Sequence, residues 1–310
     1  MSLRSARTFR VAAGMLAVAA LAISSPAAAA TMSKARHDDG HGSEHGHGAN
    51  IPITITTADG FTAPRSVHAG WVTFTVSTPE TSYHALQVLR LKGGSTLSQV
   101  LTDFTLGLSD SRADNAQGAR DLYRDATLMG GVVTSAYAAQ SVSMPMTPGT
   151  YYLLDQNEIG GPTPVRVHTL KVNGHMDWDG MPRFSATIGM VIDNMDMPAF
   201  VAPSDLKADG NILMYGQGDE LHEAVFRPIK PGITDDYITQ YYKDLDAGLP
   251  HAPSPWTDIQ HGLQAMSPGQ FVVFHLNLPP GLYALVCLVP DDVSGIAHSH
   301  MGMHKVITLH

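Results

Sequence analysis

One cysteine, Cys287, is present in 310 residues, so no disulfide can close within the chain. Its thiol is left to be buried, reactive, paired with another molecule or bound to a metal. Long apolar runs are equally scarce. The run of note, residues 11–23, is short for a bilayer span and stops at Ser24, Ser25 and Pro26. Arg4, Arg7 and Arg10 precede it and Ala28-Ala29-Ala30 follow, the layout of a cleavable secretory signal over residues 1–30. No two of those arginines are adjacent, which favours general secretion over the twin-arginine route. Basic residues are also in deficit, 19 against 28 acidic. Removal of residues 1–30 leaves 16 against 28, a net charge of −12. That balance argues against nucleic acid or an anionic membrane surface as partner and for a cationic protein or a metal cation. Motifs for other chemistry are missing too: the chain has no HExxH, no phosphate loop and no nucleophile triad.

What is there begins with histidine. His37, His41, His45 and His47 lie among Gly, Asp, Glu and Ser in residues 31–50 with no apolar period, the composition of a disordered arm. Such imidazoles can bind Cu(II), Zn or Ni weakly; the tract serves equally as a soluble spacer. From residue 51 the pattern changes to short β-rich runs such as Trp71-Val72-Thr73-Phe74-Thr75-Val76, alternating with the period of two that half-buried strands require. Helices are expected near 96–104 and 115–123, and Pro148-Gly149-Thr150-Tyr151 opens a further strand.

The same order then returns. Leu221-His222-Glu223-Ala224-Val225 matches Tyr83-His84-Ala85-Leu86-Gln87, a helical insertion at 234–246 matches the earlier one, and Pro280-Gly281-Leu282-Tyr283 matches Pro148-Gly149-Thr150-Tyr151. A repeat of this length predicts two similar β-sandwich domains, 51–175 and 176–310, divided where Gly174, Asp177, Gly180 and Pro182 break both periods.

In the second half, strand alternation puts Tyr283, Leu285 and Cys287 on one face, so a thiol ends the strand, and His298, His300, Met301 and Met303 follow it. One His (His222), a long gap, then Cys, His and Met is the donor order of trigonal copper sites with a weak axial Met. An inert core cysteine and an edge histidine are the plain alternatives for Cys287 and His222 taken singly. The second half, with its Pro280-Gly281-Leu282-Tyr283-Ala284-Leu285-Val286-Cys287 strand end, resembles a cupredoxin, and the likeness extends to both halves from residue 51 to residue 310. It departs from the small electron carriers in the seven residues, 291–297, between Pro290 and His298.

The resemblance implies an all-β chain of two tandem Greek-key cupredoxin-like sandwiches with short helical insertions. It implies one type 1-like copper in the second, held by His222, Cys287 and His298 with Met303 axial and His300 and Met301 as alternative or auxiliary donors. The first half keeps His84 but carries Asp155 where the repeat expects Cys and Val167 where it expects Met, with His168 matched to His304. No soft copper site is expected there. The implied role is that of an exported, periplasmic or extracellular electron carrier that exchanges with a redox protein or a copper donor; copper buffering or a metal-free partner-binding sandwich are the alternatives. A multicopper oxidase or nitrite reductase is disfavoured, because Val286 and Leu288 flank Cys287 where an H-C-H signature would place histidines. Met190, Met195, Met197 and Met214 read as core filling rather than as a Cu(I) cluster.

Overall fold

The computed structural model describes residues 48–257 and 260–310. The expected signal, residues 1–30, and the four arm histidines His37, His41, His45 and His47 lie outside the described residues. The first half runs β1 (Ala49–Thr54), β2 (Ser66–His68), β3 (Gly70–Ser77), β4 (His84–Leu91), α1 (Leu97–Gly107), α2 (Arg112–Asp125), β5 (Ala126–Thr134), β6 (Gln140–Met146), β7 (Gly149–Asp155) and β8 (Val167–Asn173). The second runs β9 (Ala186–Ile192), β10 (Pro198–Val201), β11 (Asp205–Leu206), β12 (Asp209–Gly216), β13 (His222–Pro228), α3 (Asp235–Asp246), β14 (His261–Met266), β15 (Phe271–Asn277), β16 (Gly281–Val286) and β17 (His304–Leu309). Regular structure starts slightly before the expected end of the arm, because Ala49 and Asn50 already pair with Val72 and Thr73.

Local chemistry accounts for these elements. In β3, Val72, Phe74 and Val76 are fully buried while Thr73 and Thr75 are half-exposed, the alternation of a strand with one face on a core. Helix α1 opens on a reciprocal cap, the Thr96 side chain accepting from the Gln99 backbone and the Gln99 side chain from that of Thr96. Ser111 caps α2, and Thr234 caps α3 ahead of Asp235 and Asp236, whose charges suit a helix N-terminus.

The chain is mostly β. It forms a seven-stranded sheet, β1-β3-β6-β15-β12-β9-β10, and a ten-stranded sheet, β11-β17-β16-β13-β14-β5-β4-β7-β8-β2. From the middle outward the two halves contribute matching strands in mirror order to both sheets, with β10 at the edge of the seven-stranded sheet as the one strand without a counterpart among the described residues. The stretch between β8 and β9, where the division at 175 was expected, carries no helix or strand. Hydrogen bonding nonetheless joins the halves: β6 pairs antiparallel with β15 (Phe274 opposite Val142), and β5 with β14 (Leu263 opposite Val132). One apolar core lies between the sheets and draws on both halves, with Phe74 and Leu86 from the first and Phe226 and Phe274 from the second; the last two rings stack at 6.3 Å. Met190 and Met214 are core residues, as expected, whereas Met195, expected in the core with them, is exposed. Helices α1 and α2 cover a second apolar cluster with Leu89 and Leu128, and α3 covers a third with Val225 and Val286.

Candidate metal centre

His222 is the first residue of β13, Cys287 follows the last residue of β16, and His298 opens a short 3-10 turn, His298–Met301. All three are buried, and one donor atom of each lies within 4.8 Å of the others. The two Nδ1 atoms are 3.1 Å apart, and Cys287 Sγ is 3.4 Å from that of His298 and 3.9 Å from that of His222. Metal bonds of about 2.0–2.3 Å to nitrogen and sulfur, arranged in a plane, separate donors by about 3.5–3.9 Å. One separation reaches that range and the other two are shorter by up to about 0.4 Å, so a small outward movement of the imidazoles would seat a three-coordinate soft cation, and the Cys and two His donors suit copper.

The loop from Cys287 to His298 is closed by hydrogen bonds. Asp291 N donates to Ile296 O and Gly295 N to Asp291 O, while the Asp291 carboxylate accepts from Val293 and Ser294 N. Pro290 then bridges to Ala297, His298 N donates to Val289 O at 3.0 Å, and Ser299 N donates to Cys287 O at 2.7 Å. The extra residues bulge outward, and the two ligand residues are brought together at the bulge's base. Helix α2 of the first half braces this bulge: Arg120 donates to Asp292 O, and Gly295, at φ +67°, lies so close to Arg112 O that a Cβ would sit 1.9 Å from it.

Met303 is fully buried in the cluster that contains Cys287. Its backbone is fixed by both ligand residues, since Met303 N donates to His298 O at 2.9 Å and Cys287 N donates to Met303 O at 3.3 Å. Gly302, at φ +113°, makes the left-handed turn between the 3-10 segment and Met303. Met301 is half-buried in that 3-10 turn. His300 is not in the triad; its ring stacks on Tyr242 at 4.0 Å and its Nδ1 faces Asp246 at 3.0 Å.

Three carboxylates surround the triad, and sequence reading singled out none of them. Glu220 Oε2 lies 2.7 Å from His298 Nε2, and Asp291 is grouped with both. A proton on Nε2 donated to Glu220 leaves the Nδ1 lone pair facing the triad. Glu223 N donates to Cys287 Sγ at 3.4 Å, while its carboxylate accepts from Leu288 N at 3.0 Å. Proximity to His222 in sequence, two residues before and one after, is the signal that could have found Glu220 and Glu223. Burial pushes the Cys287 thiol up, lifts Glu223 to about 7, and, with the charge of His298 as a second cause, holds His222 down at about 3. A bound cation reverses this for the thiol by stabilising its anion. His222 Nε2 is buried with no hydrogen-bond partner among the described residues. Glu220→Gln is expected to weaken metal binding about 10–100-fold, the usual cost of losing a carboxylate behind a His ligand; a competition titration with a chelator checks it.

In the first half the corresponding place is an ion pair. The pairings Leu86–Asp155 in β4/β7 and Val225–Val286 in β13/β16 align Asp155 with Cys287. His84 Nδ1 lies 2.6 Å from Asp155 Oδ2, which leaves no thiolate or second imidazole there. The register moves the rest of the match by one residue. Val167 opposes Leu154 as His304 opposes Val286, so Arg166, not Val167, occupies the Met303 position, and His168 matches Lys305 rather than His304. His168 sits on β8 facing Pro64 O at 3.0 Å.

No protein-family model and no curated protein matches the chain. Solved structures similar to it include auracyanin A, a "blue" copper protein from the green thermophilic photosynthetic bacterium Chloroflexus aurantiacus, at 17% identity over 40% of this chain and 98% of that one, with a TM-score of 0.29. Rusticyanin from Thiobacillus ferrooxidans is 15% identical over 40% of this chain and 75% of its own, TM-score 0.26. A multicopper oxidase covers 84% of this chain and 88% of its own at 10% identity, TM-score 0.25. The reading of the centre rests on this chain's own atoms.

Proposed function

We propose that this chain is an exported, cupredoxin-like electron carrier with one type 1-like copper in the half 176–310. His222, Cys287 and His298 would hold the metal, with Met303 as a further soft donor, and the half 51–175 serves as scaffold. The observation that carries the proposal is the convergence of three buried soft donors from three separate segments. Copper in such a site supplies one-electron chemistry. The protein's contribution is a fixed frame: ligands set on strand ends, a backbone N–H from Glu223 on the sulfur, and Glu220 on the outer nitrogen of His298. Rigid donors lower the rearrangement between oxidation states, and the N–H on sulfur tunes the potential. No helix among the described residues is long and apolar enough to cross a membrane, and the proposed export rests on the sequence of residues 1–30.

Visible absorption and electron paramagnetic resonance of the copper-loaded full chain test this reading. An intense charge-transfer band with one copper per chain is expected. A colourless Cu(II) adduct would overturn the carrier assignment and leave copper buffering in its place.

A further inference from the structure

Two carboxylates stand behind His298, on the side away from the triad. Its Nδ1 faces Cys287 and His222, whereas its Nε2 lies 2.7 Å from Glu220 Oε2. Glu220, Asp291 and His298 each offer one donor atom, and the three atoms lie within 4.8 Å of one another. Asp291 is only 8% exposed, with Val293 N and Ser294 N both donating to its Oδ1. Burial works against its charge, but the hydrogen bonds from Ser294 and Val293 hold its pKa below the usual carboxylate value, so it stays ionised at neutral pH. No basic side chain answers that charge. Arg120, which reaches this loop, donates to Asp292 O, and among the described residues no Lys or Arg pairs with either carboxylate. Buried charges in proteins are paired or bind a metal. The Glu220 side chain is 18% exposed and leaves the group open to solvent on one side.

We propose that Glu220, Asp291 and His298 Nε2 form a second metal site, for a hard or borderline divalent cation such as Mn(II). Carboxylate oxygens with one imidazole suit such an ion, whereas copper prefers the thiolate of the triad. The site takes no group from the triad other than His298, so its existence does not rest on the copper reading above. Its effect on the carrier does. A neutral imidazole has one lone pair: with copper on Nδ1 the ring presents N–H to Glu220, and with the second ion on Nε2 it presents N–H to the triad, where His222 Nδ1 stands 3.1 Å away. The two ions therefore oppose each other, and each weakens the other by the same factor.

The test uses the metal-free full chain and manganese(II) chloride, with the electron paramagnetic resonance signal of free Mn(II) reporting what is unbound. Mn(II) stands lowest in the affinity order of first-row divalent ions and is a poor match for thiolate, so it does not report on the triad. Saturable binding of one ion per chain is expected. Asp291→Asn, which keeps the oxygen that Val293 N and Ser294 N donate to, should bind at least about tenfold more weakly, as should Glu220→Gln, while Cys287→Ser should bind as the wild type does. Circular dichroism shows that each variant is folded. No saturable binding by the wild type, or wild-type affinity in either folded carboxylate variant, overturns the site. A loss in Cys287→Ser equal to that in Asp291→Asn places the ion in the triad and overturns it too. Loading with copper should weaken Mn(II) binding, by a factor in the range of about 5–150 usual for coupled sites. Unchanged affinity overturns the shared ring. A colourless copper adduct whose chain still binds Mn(II) through Asp291 would sink the carrier reading and leave the second site standing.

Discussion

Cys287→Ser is expected to abolish the visible charge-transfer band of the copper-loaded protein and to weaken copper binding by more than about 100-fold, the upper end for loss of a mere outer-sphere partner. The thiol is fully buried and faces both imidazoles, so its anion is the charge that balances the cation; a serine hydroxyl in the same place stays protonated and leaves two neutral nitrogens. The volume change is small, so the fold should survive, which circular dichroism would verify. Absorption during a copper titration reads the result. A band of unchanged intensity in the variant would show that the colour arises elsewhere and would remove Cys287 from the ligand set.

Replacing His84 with Ala should cost about 3–5 kcal/mol of folding stability, the range for breaking a buried ion pair from one side. His84 and Asp155 are both buried, 2.6 Å apart, and among the described residues the Asp155 carboxylate otherwise keeps only backbone donors, Ala85 at 3.0 Å and Asn157 at 3.2 Å. Chemical denaturation of the two proteins gives the difference. The double change to His84→Leu with Asp155→Leu should recover most of it, since a well-packed apolar pair can replace a buried ionic one. The pH dependence follows from the His84 pKa, which the Asp155 hydrogen bond raises above 6.5 against the opposing effect of burial. A raised histidine contributes its stability in full below the unfolded value and loses it as pH climbs through the folded one. The stability gap between wild type and His84→Gln should therefore be widest below pH 6.5 and narrow above it. A gap that widens with rising pH would contradict the pairing.

Much of this architecture was legible because its signals are local. Alternation in Trp71–Val76, the Thr96 and Thr234 caps, and the paired Pro-Gly-x-Tyr strand openings each mark an element within a few residues. The cysteine at a strand end was legible for the same reason. Two things were not. Pairing between β5 and β14 or β6 and β15 leaves no trace in either strand alone, and β5 itself is interrupted by Gly130 and Gly131, which suppress a strand signal. The position of His298 depended on how residues 291–297 fold, and that rests on an Asp291 side chain capping a turn and on α2, about 170 residues away in sequence, bracing it. The one-residue error in matching His168 to His304 has a similar origin: sequence spacing was counted across loops, whereas strand register is set by hydrogen-bonded partners.

The continuous sheets bear on what the half without copper ligands is for. If 183–310 stood alone, β14 and β15 would each become an outer strand with a row of open N–H and C=O groups, the surface from which unintended strand pairing and aggregation begin. The half 51–175 fills both rows at once and does so from the same polypeptide, at a fixed stoichiometry that no dilution can change. A subunit able to dissociate would expose those edges whenever its concentration fell. Here the cover is permanent, and the ligand loop stays braced at low concentration without depending on a second copy of the chain.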